Sequence, residues 1–200
     1  MLAEATGRMS GPRTGPPGGE PPARPDKLGV ACLIPAGMDA PDIQLIAADT
    51  AEWLDGARDI FREYADSLGI DLAFQAFDEE LATLPGRYAP PQGQLLLALV
   101  DGAIAGCGAM GPRPDADYPN ASEMKRLYVR PAFRRFGLGR LMAQALLDEA
   151  RRAGYSTMLL DTLDDMEAAR GLYAALGFHD IPPYYFNPVP GAHYLKADLD

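Results

Sequence analysis

Between Lys125 and Arg140 the chain reads Lys-Arg-Leu-Tyr-Val-Arg-Pro-Ala-Phe-Arg-Arg-Phe-Gly-Leu-Gly-Arg. An apolar, β-branched stretch gives way to a turn, and a Gly-x-Gly then opens an amphipathic helix. A strand feeding a helix through a glycine turn belongs to an α/β chain. The first N–H groups of such a helix have no partner in the helix, and its dipole favours negative charge there. Lys125, Arg126, Arg130, Arg134, Arg135 and Arg140 put six of the 18 basic residues in this window, and no acid occurs from Met124 to Leu147. A basic island in a chain of net charge −10 reads as a grip for phosphate.

That acidity excludes a general nucleic-acid binder, which needs a broad basic face, and disfavours adsorption to anionic membranes. It would suit a cationic substrate such as an amine, although acidity also serves solubility. The two cysteines, Cys32 and Cys107, form no Cys-x-x-Cys, and His179 and His193 are the only histidines, so neither a disulfide framework nor a metal site is expected. No apolar run is long enough to span a bilayer, and no charged-then-apolar signal opens the chain. The expected location is cytoplasmic.

Residues 1–40 are crowded with Pro, Gly and Ala, and read as a disordered leader with one short apolar stretch at Val30–Ile34. Met38 precedes the first clear strand and is an alternative start. Residues 41–200 then alternate strands and helices. Ile43–Ala47 reads as a strand. Thr50 is positioned to cap a helix carrying Trp53, Leu54, Ala57, Ile60, Phe61, Tyr64 and Leu68 that ends at Gly69. A shorter helix is expected over Phe77–Thr83. Gln94–Val100 and Ala103–Met110 are apolar runs joined by Asp101-Gly102, a strong hairpin signal. Further strands are expected over Glu123–Val129 and Thr157–Asp161, with the helix after Gly137 between them. Thr162-Leu163-Asp164-Asp165 resembles a capping box for a helix through Leu176. Phe178–Ile181 and Ala192–Leu199 complete the β content.

This order of elements, with Arg134, Gly137 and Gly139 matching the Gln/Arg-x-x-Gly-x-Gly/Ala signature, resembles the GCN5-related N-acetyltransferase (GNAT) superfamily. Two further landmarks fall at the family's spacings. Glu123 lies eleven residues before Arg134, where many members place a general base, and Leu172-Tyr173 precedes Gly177-Phe178 as in the penultimate helix. The resemblance implies a central mixed, twisted sheet flanked by helices. It also implies an enzyme that moves an acetyl group from acetyl-CoA to a primary amine, of a small molecule or a peptide, by direct transfer in a ternary complex. The cofactor would lie along Leu127, Tyr128 and Val129 and over Arg134, Arg135, Phe136, Gly137, Leu138, Gly139 and Arg140. Glu123 would be the base and Tyr173 the acid toward the CoA sulfur. Tyr64, Phe74, Gln75, Tyr184, Tyr185 and Asn187 fall in the regions that receive the acceptor, and homodimers are common among members.

Each reading has a rival. Glu123 is equally placed for a salt bridge with Lys125 or Arg126, and Tyr173 lies on an apolar stripe that suits a core aromatic. Asp71 and Asp78 suit either recognition of a cationic acceptor or solvated surface. Met166 stands where members often carry an asparagine that contacts the cofactor, which favours a non-catalytic acyl-CoA sensor; Glu123 and Tyr173 together favour an enzyme. A dinucleotide fold is excluded because Met142 occupies the place of the third glycine.

Overall fold

The computed structural model describes residues 40–199. The expected leader, its Val30–Ile34 stretch, the Met38 start and Cys32 therefore lie outside the described residues, apart from Ala40.

Seven strands form one sheet in the order β1-β2-β3-β4-β5-β7-β6. They are β1 (Ile43–Ala47), β2 (Gln94–Val100), β3 (Ala103–Pro112), β4 (Ala121–Val129), β5 (Thr157–Leu163), β6 (His179–Ile181) and β7 (Ala192–Asp198). The helices are α1 (Ala51–Leu68), α2 (Phe77–Thr83), α3 (Leu138–Arg152) and α4 (Glu167–Ala175). β1 to β4 form an antiparallel meander, with β2 and β3 joined at Asp101-Gly102, whose φ values of 50° and 82° meet the left-handed requirement of a tight hairpin. α1 starts at Thr50, whose hydroxyl accepts from the Trp53 N–H, and stops at left-handed Gly69.

Each face of the sheet is covered. α1 and α2 bury Ala57, Ile60, Phe61 and Leu81 against Leu95, Leu97, Cys107 and Tyr128. On the other face, α3 and α4 bury Met142, Leu146, Leu147 and Tyr173 against Met110, Met124, Met158 and Leu160. At roughly 1.5–3 kcal/mol per large apolar side chain, these two layers dominate the stabilisation of the fold.

One joint breaks the regularity. β4 and β5 run parallel and pair only at Ala121↔Thr157, Ser122↔Met158 and Glu123↔Leu159. β4 continues to Val129 and β5 to Leu163 without further pairing between them, so the sheet opens beyond Glu123.

The expected capping box is overturned. Thr162 and Leu163 are the last residues of β5, held by pairing with His193 and Ala192 of β7. α4 is preceded by Met166, which supplies no side-chain cap, and the Thr162 hydroxyl instead points to the Met166 Sδ at 3.6 Å. Ladder pairing outcompetes a local cap here because it satisfies whole backbone groups. Several 3₁₀ turns, at Ala73–Gln75, Gly86–Tyr88 and Pro131–Phe136, have no counterpart in the expected pattern.

Candidate active site

The Gly-x-Gly turn stands at the start of α3. Gly137 takes φ 69°, and a Cβ added there would meet nothing within 4 Å, so the turn faces open space. No side chain caps the helix. Among the described residues, no acceptor meets the N–H groups of Gly137, Leu138 or Gly139, whereas those of Arg140 and Leu141 bond to the Gly137 carbonyl at 3.1 and 3.2 Å. Arg134, Arg135 and Arg140 are exposed, and none forms an ion pair among the described residues. Arg134 Nε donates to the Val129 carbonyl at 3.2 Å, which leaves the rest of its guanidinium and those of Arg135 and Arg140 without a protein acceptor among the described residues. With the free N–H groups at this helix terminus they fit the diphosphate of a CoA.

From this terminus the opened edge of β4 leads inward. Lys125 pairs with Ala109 and Tyr128 with Cys107, so Gly108 alone faces both Arg126 and Leu127: a β-bulge, with Arg126 at φ 58°. Arg126 is 3% exposed and locked to Glu80 of α2 at 2.6 and 3.0 Å. The Tyr88 hydroxyl donates to the same carboxylate at 2.8 Å, and the guanidinium stacks on Phe77. Burial opposes charge on Glu80, but the Arg126 hydrogen bonds and charge prevail and hold its pKa below the ordinary value.

Beyond the bulge lies a cleft of about 670 Å³ between the diverging strands. It gathers Tyr64, Phe74, Gln75, Leu127, Tyr173 and Asn187, together with Asp161 and Met166. Burial pushes the Tyr64 hydroxyl up to about 12 and raises that of Tyr173 further. The Tyr173 ring stacks on Phe178, and its hydroxyl makes no hydrogen bond among the described residues. Tyr128, by contrast, turns its side chain to the α1 face, where it donates to Glu63, so only its backbone is available to the opened edge.

A second cleft, of about 1000 Å³, opens on the α2 side and shares Phe74, Gln75 and Lys125 with the first. Arg87, Arg113 and Tyr185 also line it. Arg87 reaches the site because β3 is bare at Gly111, where a Cβ would fall 2.6 Å from the Arg87 carbonyl. Behind these residues lies Glu123, with a fully buried side chain. Its Oε2 accepts from Arg87 at 3.1 Å and its Oε1 from the Tyr184 hydroxyl at 2.9 Å, and the Arg113 and Lys125 nitrogens lie 3.6 and 3.8 Å away. Glu123 lines neither cleft, and neither does Tyr184; Arg126, the other expected partner of Glu123, pairs with Glu80. Asp71 caps the turn that carries Phe74 by accepting from the Ala73 N–H at 2.8 Å, and Asp78 is exposed.

Asp161 is the site residue that the sequence did not disclose. It lies on β5 beside the opening, accepts from Asn187 at 3.2 Å, and has no ion pair among the described residues. A lone aspartate at the end of an apolar strand gives no signal until its neighbours are known. Arg87 and Arg113 were equally silent, since they reach the site from turns that contact it only in the folded chain.

The chain resembles known proteins in sequence and in fold. The sequence profile of the acetyltransferase (GNAT) family matches residues 52–178, more than half of the chain. An uncharacterized N-acetyltransferase of Schizosaccharomyces pombe is 38% identical over 163 residues, covering 81% of this chain and 98% of that protein. In fold the chain resembles an acetyltransferase of the GNAT family from Staphylococcus aureus, with a TM-score of 0.63 at 19% identity over 80% of this chain and 100% of the other. It also resembles a Salmonella typhimurium putative acetyltransferase solved with its cofactor acetyl-CoA, with a TM-score of 0.57 at 22% identity over 79% of this chain and 94% of that one. None of the described helices is long and apolar enough to cross a membrane. Signature turn, opened parallel joint and sequence kinship converge, and the chain belongs to the GNAT family of N-acetyltransferases.

Proposed function

We propose that this enzyme transfers the acetyl group of acetyl-CoA directly to an amine bound in the two clefts. The observation that carries the reading is the opened β4–β5 joint leading from the free N–H groups of Gly137, Leu138 and Gly139 to Tyr173. Acetyl-CoA would supply a thioester activated for attack by an amine. Arg134, Arg135, Arg140 and the turn hold the diphosphate, and the β4 edge at Leu127–Val129 aligns the pantetheine arm beside Met166, which supplies apolar contact in place of an amide. Cys107 is buried on the α1 face with its thiol pKa raised by burial, so among the described residues no thiol is offered for an acyl-enzyme.

Attack requires a neutral amine, and one carboxylate must receive its proton. Asp161 reaches the cleft and carries no cation, whereas the Glu123 oxygens are already filled by Arg87 and Tyr184. We therefore assign the proton to Asp161 and give Glu123 a positioning role, as the anion that gathers Arg87, Arg113 and Lys125. Tyr173 offers its free hydroxyl as a hydrogen-bond donor to the departing sulfur, and the thiolate leaves as CoA–SH with the second proton of the attacking nitrogen as the tetrahedral intermediate collapses. Release of free CoA with an amine panel tests the reading. Asp161→Asn should lower single-turnover acetyl transfer at least about tenfold while acetyl-CoA affinity stays unchanged. A larger loss in Glu123→Gln than in Asp161→Asn would return the proton to Glu123.

A further inference from the structure

The cations around Glu123 exceed what the site itself uses. Arg87 spends its guanidinium on the Pro112 carbonyl at 2.8 Å and on Glu123 at 3.1 Å. Arg113 and Lys125 have side chains only 16% and 9% exposed, yet neither donates a hydrogen bond among the described residues. Each merely approaches Glu123, at 3.6 and 3.8 Å, and each stacks on Tyr185, at 5.1 and 5.7 Å. Arg113 Nε is buried without an acceptor, because Asp115, 3.3 Å away and largely exposed, lies off its N–H direction.

Nearly buried cations that meet no protein acceptor are costly to keep, and beside a cleft their donors are available to a ligand. The charges facing this point are Arg87, Arg113 and Lys125 against Glu123 and Asp115, with Glu79 lining the second cleft, Asp161 acting on Lys125 from the first, and Glu80 engaged by Arg126. What Arg113 and Lys125 have to spare is donor capacity rather than net charge. Both border the second cleft, and Lys125 and Gln75 connect that cleft to the one containing Asp161.

Resting on the acyl-transfer reading above, we infer that the acceptor is an amino acid or related amine bearing a carboxylate, with Arg113 and Lys125 binding that carboxylate while the amine faces Asp161. The two walls then form a zwitterion-shaped site. A simple amine or a cationic peptide would leave both donors empty.

The test measures free CoA release at fixed acetyl-CoA for free α- and ω-amino acids against their carboxamides, with acetyl-CoA affinity followed separately by calorimetry. The free acids should have kcat/KM higher by roughly tenfold or more, mainly through KM, as expected for a charge-assisted contact. Lys125→Met and Arg113→Gln should each bring the ratio toward one with acetyl-CoA affinity unchanged, and Lys125→Arg should restore part of it. Equal rates for acids and carboxamides would overturn the inference, as would a ratio insensitive to Lys125→Met in a variant that melts like the parent. A chain that binds acetyl-CoA but turns over no carboxylate-bearing amine overturns this inference alone. A chain that does not bind acetyl-CoA overturns the reading beneath it.

Discussion

Replacing Glu80 by glutamine probes the contact that pins the bulge. Arg126 sits at φ 58° with 3% of its side chain exposed, and Glu80 supplies both of its charge-assisted hydrogen bonds, at 2.6 and 3.0 Å. Breaking one side of a buried ion pair costs about 3–5 kcal/mol, because the remaining charge stays uncompensated. Glutamine keeps the volume and one acceptor, so the lower end applies, about 3 kcal/mol. For a domain of this size that lowers Tm by roughly 6–12 °C. Calorimetry at pH 7 measures it, and the single tryptophan, Trp53, packed against the α1-side core, reports the same transition in guanidinium. The sign with pH follows from linkage. The folded pKa of Glu80 lies below its unfolded value of 4.5, so the pair's contribution is complete above that pH and is lost as pH falls through the folded pKa. The parent should therefore lose stability on acidification more steeply than Glu80→Gln. The double variant Glu80→Leu/Arg126→Met, which removes both charges, should recover most of the loss. A loss below about 1 kcal/mol, or strictly additive effects in the cycle, would refute the assignment of the pair as the anchor of the bulge.

Two substitutions address the cofactor. Gly137→Glu meets open space and costs only the left-handed backbone, about 1–2 kcal/mol. A carboxylate beside a phosphate costs about 4 kcal/mol at 4 Å in an effective dielectric of 20, so acetyl-CoA affinity should fall by about 10³ in calorimetry; a change below threefold would remove the turn from the phosphate site. Tyr173→Phe should slow single-turnover acetyl transfer more than it weakens acetyl-CoA binding. An unaltered rate would leave Tyr173 as a core aromatic packed on Phe178.

The backbone plan was legible because its signals are local. Thr50, Gly69, Asp101-Gly102 and Gly137 each fix a boundary through a cap or a left-handed φ that sequence displays directly. The bulge was not legible. Its left-handed residue is Arg126 rather than glycine, and it is held by Glu80 and Tyr88 from a helix and a turn far away in the chain. The same physics hid the surroundings of Glu123. Its spacing from Arg134 is visible in the sequence, but the approach of Arg87 depends on β3 being bare at Gly111, and Tyr184 arrives from the loop before β7. Of the candidate acceptor residues, Tyr64, Phe74, Gln75 and Asn187 share one cleft, Tyr185 lines the second and Tyr184 lines neither, whereas the place of Asp161 and the unfilled donors of Arg113 and Lys125 emerge only from contacts in three dimensions.

Calorimetric titration of the purified chain with acetyl-CoA, with CoA and NAD as comparisons, tests the central claim most directly. Saturable one-site binding of acetyl-CoA and CoA, weakening with salt, and no binding of NAD is the predicted result. Failure of a demonstrably folded chain to bind acetyl-CoA would contradict the phosphate site at α3 and the acetyl transfer built upon it.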